Sequence, residues 1–433
     1  MTLNERTPLD STPPQEEPQE QHQASLIDEV RMAVAAVLLI EDVAELQHRE
    51  HFGLVFRGTL QIDPQEAYTQ LSALLEPLGF TAFLQRSRGT DIVLVVQGLP
   101  DDVDEETGGG LLRRLMRVSG RSPWWLHLAL LLATIATTMY AGAILLATDG
   151  TVSLGRALQA GGPFAFTLLL ILGVHEMGHY LAARYHRIKV TLPFFIPLPI
   201  PGSLGTLGAV IFIRSALKTR RALFDVGISG PLAGMVMAVP LFVIGLLLPP
   251  IQFGAPITLT FRGVGVPPLL DALGGSLVEG SLSRAILLHP VALAAWFGVL
   301  LTALNLLPLG QFDGGHVAYA LFGRWAWPLA GLVFAGLIVM GLMYWPTWLL
   351  WAFLAGLSGL RHPPPHDDIT PLDIRRRTLG FLTIVLFVLI VVPQPIIVRQ
   401  AAFLQPGANP DAVPLPTVAP PLFPTPTPFD FGP

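Results

Sequence analysis

The sequence predicts a polytopic α-helical membrane protein with about six or seven transmembrane helices and a small N-terminal cytoplasmic α/β domain. Hydrophobic residues make up 52% of the chain and charged residues 13%, and the mean hydropathy is +0.57, which is too apolar for a water-soluble surface. Apolar stretches of about 20 residues, long enough to cross a hydrocarbon core, recur along the chain. The first hundred residues instead carry the alternating patterns of a soluble domain.

Composition also limits the partners and the metal ligands that the chain could use. The net charge is −5, and the basic residues lie at the ends of apolar stretches, so we expect a lipid bilayer and no nucleic acid as partner. The chain has no cysteine, which leaves histidine and carboxylate side chains as the strong metal ligands. The acidic first residues resemble neither a secretory signal nor a transit peptide. We therefore expect a multi-pass protein of the bacterial cytoplasmic membrane with a cytoplasmic N-terminus.

The soluble part is predicted to be an α/β domain over residues 28–106. It follows a segment, 1–27, rich in Pro, Gln and Glu, which we expect to be a disordered tail, and it precedes a Gly/Arg-rich linker at 107–122. The patterns predict, in order, a helix over 26–46, an alternating strand over 52–62, a helix from Pro64 to about Leu75, and strands over 81–85 and 91–96.

The membrane-embedded core is predicted over residues 123–400, followed by a Pro-rich disordered tail at 401–433. The apolar stretches lie at 124–147, 164–185, 223–248, 286–304, 326–344 and 378–398, with a shorter one near 347–360. Basic residues collect before the first stretch, between the second and the third, at Arg324, and between 361 and 377. If these segments are cytoplasmic, seven crossings alternate correctly.

The second apolar stretch contains His175, Glu176 and His179. Residues four apart share one face of a helix, so both imidazoles can bind one metal ion while Glu176 flanks its open side. A catalytic zinc held by two histidines and one carboxylate keeps a position for water, and a neighbouring Glu can take the proton of that water. Ionisable side chains inside an apolar span usually mark a function. The alternative is two histidines that only hydrogen-bond to neighbouring helices.

A third ligand is needed, and Asp313 is the best candidate. Pro308 and Gly310 break the helix before it, and non-helical backbone at membrane depth is tolerated only where it is buried in protein or lines a water-filled cavity. Asp225, at the start of the third stretch, is the competing carboxylate, but it lacks the Asn-Pro approach of Asp313. An ordinary interfacial loop around Asp313 is the alternative interpretation.

These two segments together resemble the site-2 protease family of intramembrane zinc metalloproteases. That family pairs a His-Glu-x-x-His helix with a later Asn-x-x-Pro-x-x-x-Leu-Asp-Gly segment, and here Phe312 stands in place of the usual Leu. The resemblance implies one catalytic Zn²⁺ ion, with His175, His179 and Asp313 as its ligands and Glu176 as general base. It further implies that Asn305 is a polar contact for the substrate backbone or the oxyanion.

Weaker similarities extend the resemblance over residues 50–360. The segment 227–234 is similar to the Gly-Pro-x-x-Gly helix of the family. The segment 192–213 resembles the re-entrant β-hairpin that receives an unwound substrate, although a plain cytoplasmic hairpin would show the same pattern. The front domain, with Phe56-Arg57-Gly58, is similar to that of the chloroplast and cyanobacterial branch, but the Gly-Asn-Leu-Arg motif of the chloroplast proteins is absent.

The resemblance implies hydrolysis of peptide bonds within or near the transmembrane segments of membrane-protein substrates, in regulated proteolysis or in signal-peptide clearance. A polytopic transporter or ion-binding protein is the alternative from another class, because broken helices with intramembrane acids also build transport sites. That alternative would explain Asp313, but it does not explain a Glu directly after the first of two histidines spaced four apart. A third possibility is an inactive member of the family. The sequence does not predict the oligomeric state.

Overall fold

The computed structural model describes residues 17–48, 51–98, 123–145, 153–200, 203–215, 217–251, 261–278 and 281–398. The chain divides into two compact units. The first comprises Met1–Arg114 together with Pro364–Pro371, and the second comprises Leu115–Pro363 together with Leu372–Pro433. The predicted linker at 107–122 and the predicted tail at 401–433 lie outside the described residues.

The first unit is a four-stranded antiparallel sheet with two helices. The elements are α1 (Glu17–Ala35), β1 (Leu38–His48), β2 (His51–Leu60), α2 (Pro64–Leu75), β3 (Phe80–Ser87) and β4 (Thr90–Gln97), and the strand order is β1-β2-β4-β3. Val34 of α1 and Leu71 of α2 share one core with Phe56, Leu84 and Val95 of the strands. The predicted strands over 52–62, 81–85 and 91–96 and the helix from Pro64 are confirmed.

The predicted helix over 26–46 is wrong in its second half. The helix begins at Glu17, inside the segment expected as a tail, and ends at Ala35, and strand β1 begins at Leu38. Residues 38–48 pair along β2 in ten positions, from Leu38 with Leu60 to His48 with His51. This pairing overrides the helix propensity of their Leu, Ala and Glu residues, because propensity is a weak prior against tertiary contacts.

Residues Pro364–Pro371, which we call the edge segment, complete the first unit at strand β3. The Leu84 N–H donates to the His366 carbonyl over 2.7 Å, and the Asp368 N–H donates to the Leu84 carbonyl over 3.0 Å. The His366 ring is buried, with its centroid 4.4 Å from that of Phe83. A strand edge that would present unpaired backbone groups is thus covered by chain from far along the sequence.

The second unit is mostly helical. Its helices are α3 (Trp124–Leu145), α4 (Leu154–Tyr185), α5 (Arg220–Leu247), α6 (Pro268–Gly274), α7 (Leu282–Leu288), α8 (Pro290–Asn305), α9 (Asp313–Phe322), α10 (Ala326–Met343), α11 (Thr347–Ser358) and α12 (Ile374–Ile390). Within the described ranges, four stretches are long and apolar enough to cross a membrane, namely α3, α4, α5 and the pair α9–α10 (Asp313–Met343), and α8 and α11 are shorter apolar helices. The prediction of a multi-pass helical membrane protein is confirmed at this level.

Two predicted apolar spans are wrong at one end. The span over 286–304 is interrupted, because α7 ends at Leu288 and Pro290 opens α8, where a residue without an N–H is tolerated. The span over 378–398 is helical only to Ile390. Pro393 and Pro395 follow in the sequence, and the chain then forms a short strand, Ile396–Val398, that pairs with Phe261–Val264.

The second unit contains a core shared by three helices and a small β-hairpin. Helices α4, α5 and α8 enclose a common core that includes Phe164, Phe242 and Trp296. Strands β5 (Phe194–Pro197) and β6 (Thr206–Val210) form an antiparallel hairpin between α4 and α5 in the sequence, in the segment where the sequence predicts one.

Candidate metal centre and active site

His175 and His179 lie one turn apart on the buried face of α4. Their side chains are 3% and 6% exposed, and their Nε2 atoms are 3.2 Å apart. Glu176, also buried, is the neighbouring residue on the same helix. The two imidazoles therefore converge on one point, as the spacing predicts.

Asp313 reaches the same point from α9. The chain leaves α8 after Asn305 and passes Gly310, whose φ of +45° is left-handed, before α9 begins at Asp313. The Asp313 Oδ2 atom lies 3.2 Å from His175 Nε2 and 3.3 Å from His179 Nε2. Within the described ranges, these three side chains are the one group of at least three His, Cys, Asp or Glu residues placed to hold a metal ion.

The three donor atoms fit a zinc ion. Zinc bound tetrahedrally at about 2.0–2.1 Å places its ligand atoms about 3.3 Å from one another. The Nε2, Nε2 and Oδ2 atoms form a triangle with sides of 3.2, 3.2 and 3.3 Å. The chemistry fits as well, because two imidazole nitrogens and one carboxylate oxygen are a ligand set of catalytic zinc sites.

A backbone contact orients His179 for this role. Its Nδ1 lies 2.7 Å from the Val226 carbonyl oxygen, and because a carbonyl can only accept, Nδ1 carries the proton. Nε2 then presents its lone pair to the other two ligand atoms. Metal-binding histidines generally use their second nitrogen in this way, which fixes the ring orientation and raises its basicity as a ligand.

Glycines of α5 bring that helix close to the ligands. A Cβ at Gly230 would collide with the His179 imidazole, and one at Gly234 would lie 3.1 Å from His175 Nδ1. A Cβ at Gly227 would lie 2.6 Å from the Cβ of His316 on α9. The small residues of 227–234, which the sequence suggests as a tightly packing segment, therefore face the site residues directly.

Glu176 and Asn305 have polar contacts near the ligand atoms. The Asn305 Nδ2 atom is 3.3 Å from His175 Nε2, so its amide lies beside the three donor atoms. The Glu176 carboxylate accepts a backbone hydrogen bond from Ile211, in the residues that continue β6. Asn305 and Glu176 therefore lie in the same region as His175, His179 and Asp313.

Asp225, the competing carboxylate, lies elsewhere. It accepts two hydrogen bonds from the Arg376 guanidinium, at 2.7 and 2.6 Å, and its Oδ2 lies 2.8 Å from His186 Nε2. This cluster links the end of α4 and the starts of α5 and α12. The carboxylate is committed to these partners, as a bidentate Arg–carboxylate pair usually is.

A histidine pair that the sequence did not predict lies behind Asp313. His316 Nδ1 lies 2.6 Å from His362 Nε2, and burial and the neighbouring His316 lower the pKa of His362 to about 3. His362 is therefore neutral near pH 7. The spacing of Asp313 and His316, one helical turn, is the signal in the sequence that could have suggested His316, because such residues share a helix face. Nothing in the sequence nominates His362.

Comparison with known proteins finds one family model and several relatives that are similar to this chain. Residues 163–343 match the family model described as "Peptidase family M50". "Probable zinc metalloprotease EGY1, chloroplastic" of Oryza sativa subsp. japonica is 30% identical over 382 residues, which cover 79% of this chain and 62% of that protein. "Probable zinc metalloprotease EGY2, chloroplastic" of Arabidopsis thaliana is 33% identical over 253 residues, covering 55% and 43%. The chain thus spans less than two thirds of the length of these relatives. No solved structure matches.

Proposed function

We propose that this chain, whose residues 163–343 match the model of peptidase family M50, is an intramembrane zinc metalloprotease of the site-2 protease type. The family resemblance and its chloroplast-type branch are confirmed by these comparisons. One observation carries the proposal. The three donor atoms lie 3.2–3.3 Å from one another. Two of them and the buried Glu176 belong to α4, a helix long enough to span a membrane.

Each site residue has a separate role in the proposed reaction. His175, His179 and Asp313 would hold one zinc ion, which when bound supplies Lewis acidity and makes water nucleophilic near neutral pH. Glu176 takes the proton of the attacking water as the oxygen–carbon bond forms at the scissile carbonyl. When the carbon–nitrogen bond breaks, the departing amine takes up a proton, and Glu176 is the residue placed to return it.

Asn305 and the hairpin are proposed to bind the substrate. The Asn305 amide lies beside the ligand atoms, so its N–H group can donate to a carbonyl oxygen or to the oxyanion that develops there. The hydrogen bond from Ile211 to Glu176 places the continuation of β6 next to the proposed base. We propose that a transmembrane substrate unwinds and lies along this re-entrant hairpin, because strand addition satisfies backbone groups that lipid cannot.

Topology and location are further parts of the proposal. We propose six or seven crossings, with the shorter helices α8 and α11 and the helix α12 completing the four long stretches. Along α4, His179 and His175 lie about 8 and 14 Å from Arg184 at 1.5 Å per residue, so substrates would be cut nearer the cytoplasmic face. The named relatives are chloroplast proteins; for this chain we propose a bacterial cytoplasmic membrane with a cytoplasmic N-terminus.

The contacts of the site favour a protease over a transporter. A transport site would account for Asp313. It would not need a Glu next to two imidazoles whose nitrogens, together with a carboxylate oxygen, are spaced to bind one metal ion. An inactive member is also disfavoured, because the sequence retains Glu176 as a general base and the three side chains that could hold a metal ion lie together.

Zinc content and cleavage together test the proposal. The detergent-purified chain should hold about one zinc ion and cleave a labelled single-span peptide whose leucine–alanine helix is interrupted by Asn-Gly. A chelator should abolish cleavage, and added zinc should restore it. Glu176→Gln should retain the metal yet lower cleavage at least a hundredfold, because a neutral amide cannot accept the proton. A metal-free active chain, or comparable turnover by Glu176→Gln, would overturn the proposal.

A further inference from the structure

The first membrane helix, α3, holds the β5–β6 hairpin at two points. His127 Nδ1 donates to the Pro193 carbonyl oxygen, 3.1 Å away, and its ring centroid lies 4.0 Å from that of Phe194, the first residue of β5. Ten residues later on α3, the Thr137 hydroxyl donates to the Gly205 carbonyl oxygen over 2.7 Å. The two contacts secure the start of β5 and the residue that precedes β6.

The second contact is a close backbone approach. Gly205 has a φ of +78°, and a Cβ there would collide with the Thr137 carbonyl and lie 2.5 Å from the Thr138 Cα atom. The turn of the hairpin therefore lies directly on α3, and a larger residue at this position would push it away.

The other side of the hairpin faces the proposed catalytic helix. Ile211, which continues β6, hydrogen-bonds through its backbone to Glu176. On β5, the ring of Phe195 lies 3.7 Å from the position of a Cβ at Gly173, two residues before His175. The hairpin thus touches α3 on one side and the catalytic helix on the other.

We propose that His127 and Thr137 are positioning residues of this protease, which fix the hairpin and thereby the register in which a substrate strand passes Glu176. An isolated two-stranded hairpin is marginally stable, so its position depends on what supports it. A shift of one residue in strand pairing turns every side chain of the strand to the opposite face. A displaced hairpin would therefore bring a different peptide bond of the substrate to Glu176. This inference rests on the proposed function.

The variant Thr137→Val tests the proposal because it keeps the side-chain shape and removes the hydroxyl. With the Asn-Gly peptide as substrate, we expect KM to rise roughly two- to tenfold, the loss expected for one hydrogen bond, with kcat within about twofold. Mass spectrometry should find new cleavage sites one or two bonds from the original. Thr137→Ser should restore the wild-type pattern, and His127→Ala should shift it as Thr137→Val does.

The matched control is Thr134→Val, the same change one turn earlier on α3. The Thr134 hydroxyl donates to the Leu130 carbonyl of α3 itself, over 2.7 Å. This variant therefore removes a hydroxyl and a hydrogen bond within the helix but leaves the contact with Gly205 in place. We expect it to keep the wild-type KM and the wild-type cleavage sites.

A second measurement does not depend on activity. The chain has no cysteine, so a single spin label can be attached through Leu207→Cys on β6, where the side chain is 63% exposed. Thr137→Val should narrow its electron paramagnetic resonance lines, because the hairpin becomes more mobile, and Thr134→Val should not. An unchanged spectrum or an unchanged set of cleavage sites in Thr137→Val would overturn the proposal. Absence of cleavage by the wild type would instead count against the proposed function, and the spectra would still decide whether α3 holds the hairpin.

Discussion

The His179 ring has close contacts at both of its nitrogens and at one of its faces. Its Nδ1–H is committed to the Val226 carbonyl, and its Nε2 faces His175 and Asp313. Gly230 lies against the flat side of the ring, where no Cβ can be accommodated. A metal ligand held this closely is preorganised, so a small displacement of the ring should be felt in metal affinity.

We therefore expect Gly230→Ala to weaken zinc binding about 10- to 100-fold, the range seen when groups that orient a ligand are changed. Overpacking of this kind should also destabilise the chain by about 1–3 kcal/mol. Competition with a fluorescent zinc chelator measures the first effect, and thermal unfolding in detergent measures the second. Gly331→Ala on α10 is the control, because a Cβ there meets nothing within 4 Å. Equal zinc affinity in both variants would contradict the close contact at His179.

The two candidate carboxylates should respond differently to removal. Asp313→Ala should lose most of its zinc, because two histidines alone leave the metal with too few protein ligands. Asp225→Ala should keep its zinc but lower stability by about 1–2 kcal/mol, because the partly exposed Arg376 loses its bidentate partner. Elemental analysis and thermal unfolding separate these outcomes. Normal zinc in Asp313→Ala would remove the third ligand and much of the protease proposal.

At the residue scale, local spacing explains why three of the predicted site residues lie together. His175, Glu176 and His179 share one helix, so the 3.6-residue period alone brings them together. Asp313 lies 138 residues from His175, and the helix-breaking residues before it were the indirect sign of its position. His362 could not be predicted, because it is linked to Asp313 by a tertiary contact with His316 and not by sequence spacing.

At the scale of elements, the edge segment is stabilised by the buried carboxylate of Asp367. Asp367 is fully buried, and its Oδ1 accepts hydrogen bonds from the Ile369 and Thr370 N–H groups at 3.2 and 3.0 Å. These bonds shape the turn that follows the contact with Leu84. Because the buried donors would lose their acceptor, removing this carboxylate should loosen the segment and expose the outer edge of β3.

We expect Asp367→Ala to destabilise the first unit by about 1–3 kcal/mol. In the full chain, hydrogen–deuterium exchange should become faster at the Leu84 amide, which donates to His366, while amides of the β2–β4 pair change less. Asp28→Ala, an exposed position on α1, is the control. Unchanged protection of Leu84 would show that the segment does not depend on Asp367.

Element boundaries were predicted correctly where residues next to the boundary mark it. They were missed where pairing with a distant segment decides the structure. Asp63 and Pro64 mark the start of α2, because the Asp63 carboxylate accepts the Gln65 N–H at 2.9 Å and Pro needs no donor there. By contrast, residues 38–46 look helical by composition and become a strand only through β2. The edge segment offered no pattern at all, since a pairing between Leu84 and Asp367 leaves no trace in either local sequence.

For the whole molecule, the proposed topology makes a prediction about sidedness. Ser215, between β6 and α5, should face the cytoplasm, and Ser276, after α6, should face the other side. Single cysteines at these positions in the cysteine-free chain should react with a membrane-impermeant maleimide from opposite sides of sealed vesicles. Labelling of both from the same side would refute the proposed arrangement of crossings.

The edge segment also has a consequence for the order of synthesis. The ribosome adds Leu84 about 280 residues before His366, and at about 5–20 residues per second this interval lasts roughly 14–56 s. Throughout that time the outer edge of β3 lacks its final partner and can pair with another strand, including that of a neighbouring nascent chain. The sheet made first is therefore completed late, after the metal ligands have been synthesised.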